Sequence, residues 1–288
     1  MSDCYAAFRL FSRAITVPNR RGIRQGDLIS PSIFSAIVES VIRKRTWDGH
    51  GTNINGKTFS RLRINIIILT HTPQEAERME LQSVAQCDVL VVEGIGRSFC
   101  SGADLGLIEE ISTSSLGSAM FRYMSGAVAK IHSSPLVSVA RINGHCLGGG
   151  SEIASSCDLR FAHKNAKIGF LQAKMGIVPS WGGAAYLPSI VGRSSALHLM
   201  TTAPVLSSDE AMDIGYIDAI YEEDEEFEAL VASMIKNGAG VCKAQKAMLN
   251  ALPQGEDAQH AVVRSVWGGA AQKAALQRQL AAVVNKKK

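Results

Sequence analysis

The sequence lacks closely spaced cysteines and long apolar runs. Its six cysteines, at positions 4, 87, 100, 146, 157 and 242, are scattered, which excludes the usual zinc-ligand spacings and a disulfide framework. The longest apolar stretches, 64–69 and 89–92, are far shorter than the roughly 20 residues that a membrane-spanning helix needs. We therefore expect reduced thiols, no metal site and no membrane partner. The expected compartment is the cytoplasm, with the mitochondrion as the alternative.

Positive and negative side chains are balanced over most of the chain, so neither sign is in excess there. Residues 1–84 hold 12 Lys and Arg against 7 Asp and Glu, whereas the remainder holds 18 against 19. The net charge of +4 therefore belongs to the N-terminal part. A basic segment of this kind is compatible with a solvated surface, a nucleic-acid contact or a transit peptide. Pro18 and Gly22 interrupt any amphipathic period, which argues against the transit peptide, and we expect no nucleic-acid partner.

The first 84 residues carry a resemblance of their own. Residues 21–34, Arg-Gly-Ile-Arg-Gln-Gly-Asp-Leu-Ile-Ser-Pro-Ser-Ile-Phe, resemble a palm-domain motif of retroelement reverse transcriptases, and residues 72–79 resemble the stretch after their catalytic strand. Those polymerases bind two magnesium ions with an adjacent pair of aspartates. The matching strand, 62–70, contains no aspartate. We expect residues 1–84 to be a reverse-transcriptase-like fragment without polymerase activity, with a helix at 33–42 and a loop at 47–56.

From about residue 85 the pattern changes to alternating strands and helices. Buried-strand runs at 88–93 and 135–143 each end at a glycine, and a helical stretch at 118–133 lies between them. This order predicts parallel pairing with helical crossovers, an α/β fold. A third strand is predicted at 158–162 and a helix at 208–215, started by Ser208 or Asp209. The tail beyond Gly255 is helical by composition.

Two glycine-bearing corners follow the first two strands. Residues 97–105 read Arg-Ser-Phe-Cys-Ser-Gly-Ala-Asp-Leu, and residues 142–152 read Ile-Asn-Gly-His-Cys-Leu-Gly-Gly-Gly-Ser-Glu. Glycines at a helix start allow close backbone approach and leave N–H groups free for an anion. By itself a glycine-rich turn fits phosphate binding, tight packing or a simple turn equally well.

The ordered set of both corners followed by residues 175–183, Met-Gly-Ile-Val-Pro-Ser-Trp-Gly-Gly, resembles the crotonase (enoyl-CoA hydratase/isomerase) superfamily. The resemblance implies a ββα superhelix core at 85–240, a C-terminal helical segment at 241–288 that closes the site, and an unrelated segment before them. It also implies an acyl-CoA substrate, a homotrimer or hexamer, and no cofactor, because the thioester itself is the electron sink. The superfamily's initial strands are not found before Asp88, so we expect an exposed sheet edge there.

The resemblance also implies roles for individual residues. The backbone amides of Ala103 and Gly149 would form an oxyanion hole for the thioester oxygen, and Glu152, one helical turn beyond Gly149, would transfer a proton. Asp104 would cap the helix that begins at Leu105. His145 is expected to be a structural histidine, and His163, in a polar turn, is expected to be solvated. The substrate contacts implied are Ser101, Gly102, Asp104, Leu105, Gly148, Gln172, Pro179 and Trp181.

Gln172 stands where the hydratases of the superfamily carry a second glutamate, and an amide is neither acid nor base at neutral pH. The segments 99–102, 175–183 and 266–270 resemble the ethylmalonyl-CoA decarboxylase branch. This likeness implies loss of CO₂ from a branched malonyl-CoA, such as ethylmalonyl-CoA or methylmalonyl-CoA, through a thioester enolate. The alternatives are an enoyl-CoA hydratase or isomerase of fatty acid metabolism and a catalytically inactive fusion of a crotonase-like domain with a retroelement fragment.

Overall fold

The computed structural model describes residues 4–10, 13–19, 64–68, 88–94, 96–103, 105–238 and 240–286. The predicted helix at 33–42, the loop at 47–56 and the two reverse-transcriptase-like stretches at 21–34 and 72–79 lie outside these residues, and so does Asp104. Close to the N-terminus, β1 (Cys4–Leu10) and β2 (Arg13–Asn19) pair as an antiparallel hairpin.

Two sheets form the centre of the fold, and successive strands contribute to them in turn. The strands are β3 (Ile64–Ile68), β4 (Val89–Gly94), β5 (Ser98–Cys100), β6 (Val137–Ile142), β7 (His145–Leu147), β8 (Leu159–His163), β9 (Lys167–Gly169), β10 (Leu206–Ser207) and β11 (Ala219–Tyr221). The five-stranded sheet has the order β11-β8-β6-β4-β3, and the four-stranded sheet has the order β10-β9-β7-β5. Three successive pairs, β4 with β5, β6 with β7 and β8 with β9, place their first member in the larger sheet and their second in the smaller, which is the ββα superhelix implied by the resemblance.

Helices connect the strand pairs and form the C-terminal part. They are α1 (Leu105–Glu110), α2 (Ser114–His132), α3 (Gly149–Ser156), α4 (Leu187–Val191), α5 (Arg193–Thr202), α6 (Ser208–Asp213), α7 (Asp224–Ile235), α8 (Val241–Ala251), α9 (Glu256–Val266) and α10 (Ala270–Lys286), with 3₁₀ turns at Leu171–Met175, Gly183–Ala185 and Leu252–Gln254. Helix α6 is capped by Ser207, whose hydroxyl and backbone N–H exchange hydrogen bonds with Glu210. The predicted start at Ser208 is confirmed, and the capping residue is the one before it, Ser207. In the described part of the chain, no helix combines the length and apolarity needed to cross a bilayer.

The parallel pairing predicted from the strand–helix–strand order is confirmed. Strand β4 pairs in parallel with β6, and β6 with β8. Both faces of this sheet are covered, which explains why β4 reads as a continuous apolar run. Leu90 and Val92 pack into the main core, while Val89 and Val91 pack with Phe227 of α7 in a second cluster on the opposite face.

The expectation of an exposed edge beside β4 was wrong. Strand β3, from the segment that resembles a polymerase strand, pairs antiparallel with β4 over five positions, from Ile64 opposite Gly94 to Ile68 opposite Leu90. Backbone N–H and C=O groups of β4 that would otherwise lack partners can therefore be satisfied on that side. A strand from residues 1–84 is thus part of the larger sheet, while the division at residues 84 and 240 stays a prediction.

Candidate active site

The two glycine corners lie side by side at the ends of neighbouring strands. Strands β5 and β7 are parallel, with Cys100 opposite Cys146. Two residues beyond this pair, the chain reaches Gly102 on one strand and Gly148 on the other. Because both strands run in the same direction, the predicted corners meet at the same edge of the smaller sheet.

The backbones of the corners approach each other closely. A Cβ placed on Gly102 would lie 3.2 Å from the Leu147 carbonyl oxygen and 3.5 Å from the Gly149 nitrogen. Both Gly102 and Gly148 have positive φ, at +95° and +56°, a backbone conformation that favours glycine. Gly102 therefore lies directly against the start of α3, and Ala103 is the next residue in the chain.

The amides of Ala103 and Gly149 are available for a ligand. Among the described residues, neither amide donates a hydrogen bond to a protein acceptor. Gly149 is the first residue of α3, where N–H groups have no partner within the helix and the helix dipole favours negative charge. Ala103 is half-buried beside it. This arrangement suits an oxygen that gains negative charge.

Glu152 lies in the first turn of α3 and is completely buried, with 1% of its surface exposed. Its carboxylate accepts hydrogen bonds from the backbone N–H groups of Ser180 (3.1 Å), Trp181 (2.8 Å) and Gly183 (2.9 Å), and a fourth from Gln172 Nε2 (2.7 Å). Burial raises the pKa of this carboxyl, and the four hydrogen bonds partly offset the rise. Glu152 therefore holds the 180–183 segment against α3.

The structure brings Glu152 and Gln172 together, as the sequence predicted for two residues of one site. Gln172 lies in the 3₁₀ turn after β9 and is also buried. The amide therefore occupies a place beside the carboxylate, and any reaction that needs two carboxylates lacks the second one here.

Trp181 packs directly on the start of α3. A Cβ on Gly149 would lie 2.3 Å from the indole Cε3, and Trp181 is buried. The ring of Trp181, which was expected to contact the substrate, belongs to the main core and also covers Gly149. Pro179, two residues earlier, is half-buried.

The remaining predicted substrate contacts lie at the surface beside these corners. Ser101 is exposed, and Leu105, the first residue of α1, is 65% exposed. Between Gln172 and Trp181 the chain also exposes apolar side chains, namely Met175, Ile177 and Val178. Apolar surface around a polar site is typical of a ligand pocket or a protein contact.

The cysteines next to the site are free thiols, as expected, and they are packed in the interior. Cys100, Cys146 and Cys157 are free and buried, and burial raises the pKa of the Cys100 thiol to about 12, which disfavours the reactive thiolate. His145 is exposed and its Nδ1 lies 3.4 Å from Ser98 Oγ, while His163 Nδ1 accepts from the Asn165 N–H. Within the described ranges, no group of three His, Cys, Asp or Glu side chains could hold a metal.

Three supporting contacts were not predicted from the sequence. Cys100 Sγ accepts a hydrogen bond from the Gly102 N–H (3.5 Å), and Ser151 Oγ lies 2.6 Å from the Cys146 carbonyl and 2.8 Å from the Gly169 carbonyl, which ties α3 to β7 and β9. The loop amides on Glu152 are the third. The paired glycines at 182 and 183 were a usable signal, because a Cβ on Gly183 would lie 2.6 Å from Glu152 Cβ.

Comparison with known proteins places this geometry in a family. The enoyl-CoA hydratase/isomerase family matches residues 78–288. Ethylmalonyl-CoA decarboxylase of Bos taurus is 32% identical over 211 residues, which cover 69% of this chain and 69% of that protein.

Solved structures give the same result for the fold. An enoyl-CoA hydratase from Thermoplasma volcanium superposes with a TM-score of 0.61 at 25% identity, covering 66% of this chain and 79% of that one. A protein of Thermobifida fusca, assigned as an enoyl-CoA hydratase and solved with acetoacetyl-CoA, gives a TM-score of 0.53 at 25% identity, with coverages of 66% and 78%. The ββα superhelix, the adjoining glycine corners and these matches together show that the chain belongs to the enoyl-CoA hydratase/isomerase family, the crotonase superfamily.

Proposed function

We propose that this protein decarboxylates a branched malonyl-CoA, such as ethylmalonyl-CoA or methylmalonyl-CoA. In this reaction the bond between the α-carbon and the carboxylate breaks, CO₂ leaves, and the electron pair moves into the thioester carbonyl to form an enolate. A proton then reaches the α-carbon and gives the acyl-CoA product. The likeness to ethylmalonyl-CoA decarboxylase of Bos taurus supports this substrate class.

One observation carries the proposal: the meeting of the two corners at Gly102 and Gly149. Ala103 follows Gly102 directly, so the backbone amides of Ala103 and Gly149 can both donate to one thioester oxygen. The enolate oxygen carries the charge that develops in the transition state, and each donor of this kind contributes about 2.7–4 kcal/mol in other enzymes. Backbone amides suit this task because they keep their protons at every working pH.

The chemistry of Gln172 favours decarboxylation over hydration. Addition of water to an enoyl-CoA needs a base for the water and an acid for the α-carbon, whereas decarboxylation needs neither a base nor a second carboxylate. Glu152 has only an amide beside it. Proton transfer by Glu152 stays a prediction from the resemblance, and the same carboxylate anchors the 180–183 segment. The second candidate function is hydration of an enoyl-CoA, because a structural neighbour is named as an enoyl-CoA hydratase.

We further propose an oligomer of this chain, a homotrimer or hexamer, with an acyl-CoA as the only small-molecule partner and no cofactor. The solved complex with acetoacetyl-CoA supports a CoA thioester ligand. Large apolar side chains exposed in the C-terminal segment are available for subunit contacts, which would cover them. They include Leu249, Trp267, Leu276 and Leu280.

The direct test is incubation with ethylmalonyl-CoA and, separately, methylmalonyl-CoA, followed by chromatography and mass spectrometry of the CoA products. We expect butyryl-CoA and propionyl-CoA, and only slow hydration of crotonyl-CoA by the same preparation. Fast hydration without decarboxylation would support the hydratase instead. If neither decarboxylation nor hydration is detected and the acyl-CoA esters do not raise the melting temperature, the protein is the inactive fusion.

A further inference from the structure

Tyr216 reaches from a distant part of the chain into the first turn of α3. It lies between α6 and β11 and is buried, with 1% of its surface exposed. Its hydroxyl donates to the Ser151 carbonyl at 3.0 Å and lies 3.1 Å from Ser155 Oγ. Ser155 Oγ in turn donates to the same Ser151 carbonyl at 2.7 Å. Two buried hydroxyl groups therefore converge on one backbone carbonyl of the helix that begins at Gly149.

The Ser151 carbonyl is connected to the Gly149 amide by the closed first turn of α3. The N–H groups of Ser151 and Glu152 both donate to the Gly148 carbonyl, at 3.1 Å and 3.3 Å, and Gly149 lies inside this turn. Peptide units are planar, so a turn closed in this way moves as a unit. A shift of the Ser151 carbonyl would consequently shift the Gly149 amide and the backbone of Glu152 with it.

Ser151 is held from two sides. Its side-chain hydroxyl lies within hydrogen-bond distance of the Cys146 and Gly169 carbonyls, which ties the turn to β7 and β9 of the smaller sheet. Tyr216 ties the backbone carbonyl of the same residue to the segment that leads into β11. The start of α3 is therefore fixed between the sheet and a segment that comes about 60 residues later in the chain.

Tyr216 is itself firmly held. Arg160 Nε donates to the Tyr216 carbonyl at 2.6 Å, and its Nη1 donates to the Cys157 carbonyl, at the C-terminal end of α3, at 2.9 Å. The Phe170 ring meets the Tyr216 ring edge-on, with 5.7 Å between the centroids. Burial raises the pKa of Tyr216, so the hydroxyl keeps the proton that it donates.

We propose that Tyr216 is a positioning residue for the oxyanion hole: its hydroxyl fixes the first turn of α3 and thereby the direction in which the Gly149 amide points. The inference rests on the proposed function, in which that amide binds the enolate oxygen. Hydrogen bonds to this oxygen strengthen as negative charge develops, so a misplaced amide costs more in the transition state than in substrate binding. Loss of the hydroxyl should therefore lower kcat and leave KM nearly unchanged.

The first measurement is the kinetics of Tyr216→Phe with ethylmalonyl-CoA, well below the unfolding temperature. This variant keeps the ring and its packing and removes only the hydroxyl. We expect kcat to fall about tenfold, with KM within about twofold of the unchanged protein, because small misplacements of catalytic groups have effects of this order. If Tyr216→Phe does not fold, Ser155→Ala, which removes the other hydroxyl on the Ser151 carbonyl, is measured with the same expectation.

The second measurement is spectroscopic and does not depend on decarboxylation. Acetoacetyl-CoA loses a proton from its α-carbon to give an enolate that absorbs in the near ultraviolet, and an intact oxyanion hole favours this enolate. A pH titration of the complex gives the pKa of the bound ester. In Tyr216→Phe we expect this pKa to lie about one pH unit higher than in the unchanged protein, which matches the tenfold loss in kcat. The Kd of the neutral ester should stay within about twofold.

Tyr221→Phe is the matched control. Tyr221 is also a buried tyrosine, but it belongs to the second cluster, on the face of the larger sheet opposite the main core that contains Tyr216. We expect kcat and the pKa of bound acetoacetyl-CoA in Tyr221→Phe to equal those of the unchanged protein.

Three results would overturn the inference: an unchanged kcat and ligand pKa in Tyr216→Phe, equal changes in Tyr221→Phe, or a raised KM with kcat unchanged. Failure of the proposed function has a different signature. If the unchanged protein forms no butyryl-CoA, yet lowers the pKa of bound acetoacetyl-CoA and Tyr216→Phe raises it again, the decarboxylation is refuted and the positioning role stands. If the unchanged protein does not lower the pKa of acetoacetyl-CoA, both are refuted.

Discussion

The indole ring of Trp181 lies directly on the Cα of Gly149. A Cβ at Gly149 would meet three ring atoms at 2.3–2.7 Å, closer than any real contact. The ring is held there by the Glu152 carboxylate, which accepts the Trp181 backbone N–H at 2.8 Å. Glycine is therefore required at this position both by the approach of the ring and by the amide that it offers to a ligand.

Gly149→Ala is expected to displace the ring and the amide together. We expect the free energy of unfolding in urea to fall by about 1–3 kcal/mol, the usual cost of overpacking a core. Decarboxylase kcat/KM should fall by about a hundredfold, since small misplacements of catalytic groups have effects of that size.

Gly126→Ala is the control for this substitution. Gly126 lies within α2 and a Cβ there would meet nothing within 4 Å. We expect the free energy of unfolding to rise by up to about 1 kcal/mol, from helix propensity alone, with activity unchanged. Equal effects of the two alanine substitutions would contradict the packing described for Trp181.

Glu152→Ala tests the anchoring role of the carboxylate. It leaves three backbone N–H groups and the Gln172 amide without their acceptor. We expect the free energy of unfolding to fall by about 3–5 kcal/mol, because each buried donor left without an acceptor costs about 1–3 kcal/mol. Glu228→Ala, on the exposed side of α7, should change it by no more than about 0.5 kcal/mol. A urea midpoint for Glu152→Ala equal to that of the unchanged protein would show that the carboxylate anchors nothing.

Lys246 forms a buried ion pair that should contribute strongly to folding. Its Nζ lies 2.6 Å from Asp158 Oδ2 and 3.0 Å from the Leu136 carbonyl. We expect Lys246→Met to lower the free energy of unfolding by about 3–5 kcal/mol, because Asp158 loses its counter-charge in a mostly buried place.

The exposed pair of Lys164 and Glu222 has a similar distance, 2.7 Å, and serves as the control. Lys164→Met should lower the free energy of unfolding far less than Lys246→Met does, since solvent screens exposed pairs. Urea unfolding of both variants gives the comparison. Similar costs for Lys164→Met and Lys246→Met would mean that burial does not set the strength of these pairs.

Strand β3 should be part of the folded unit. We expect backbone amides at 64–68 to include slowly exchanging protons in hydrogen–deuterium exchange, because they pair with β4. Ile66→Pro should speed exchange both here and in β4, around Val92, which lies opposite Ile66. Exchange at 64–68 as fast as in a free peptide would contradict the pairing.

The sequence predicted most of what depends on local pattern. The glycines at 102 and 148 and the continuous apolar run of β4 are local signals, and each was found where expected. The pairing of β3 with β4 was not predicted, because an apolar run does not specify its partner strand and the same residues also resemble a polymerase strand. The bond between Lys246 and Asp158 joins residues 88 positions apart, and the loop amides on Glu152 come from a turn with no side-chain pattern of its own.

The central claim is that the amides of Ala103 and Gly149 bind one thioester oxygen. The most direct measurement is a crystal structure of the protein with acetoacetyl-CoA, in which the distances from the thioester oxygen to both nitrogens are read. We expect each to be about 2.7–3.1 Å, the range of oxyanion donors. A bound thioester whose oxygen lies beyond hydrogen-bond distance of either nitrogen would contradict the account.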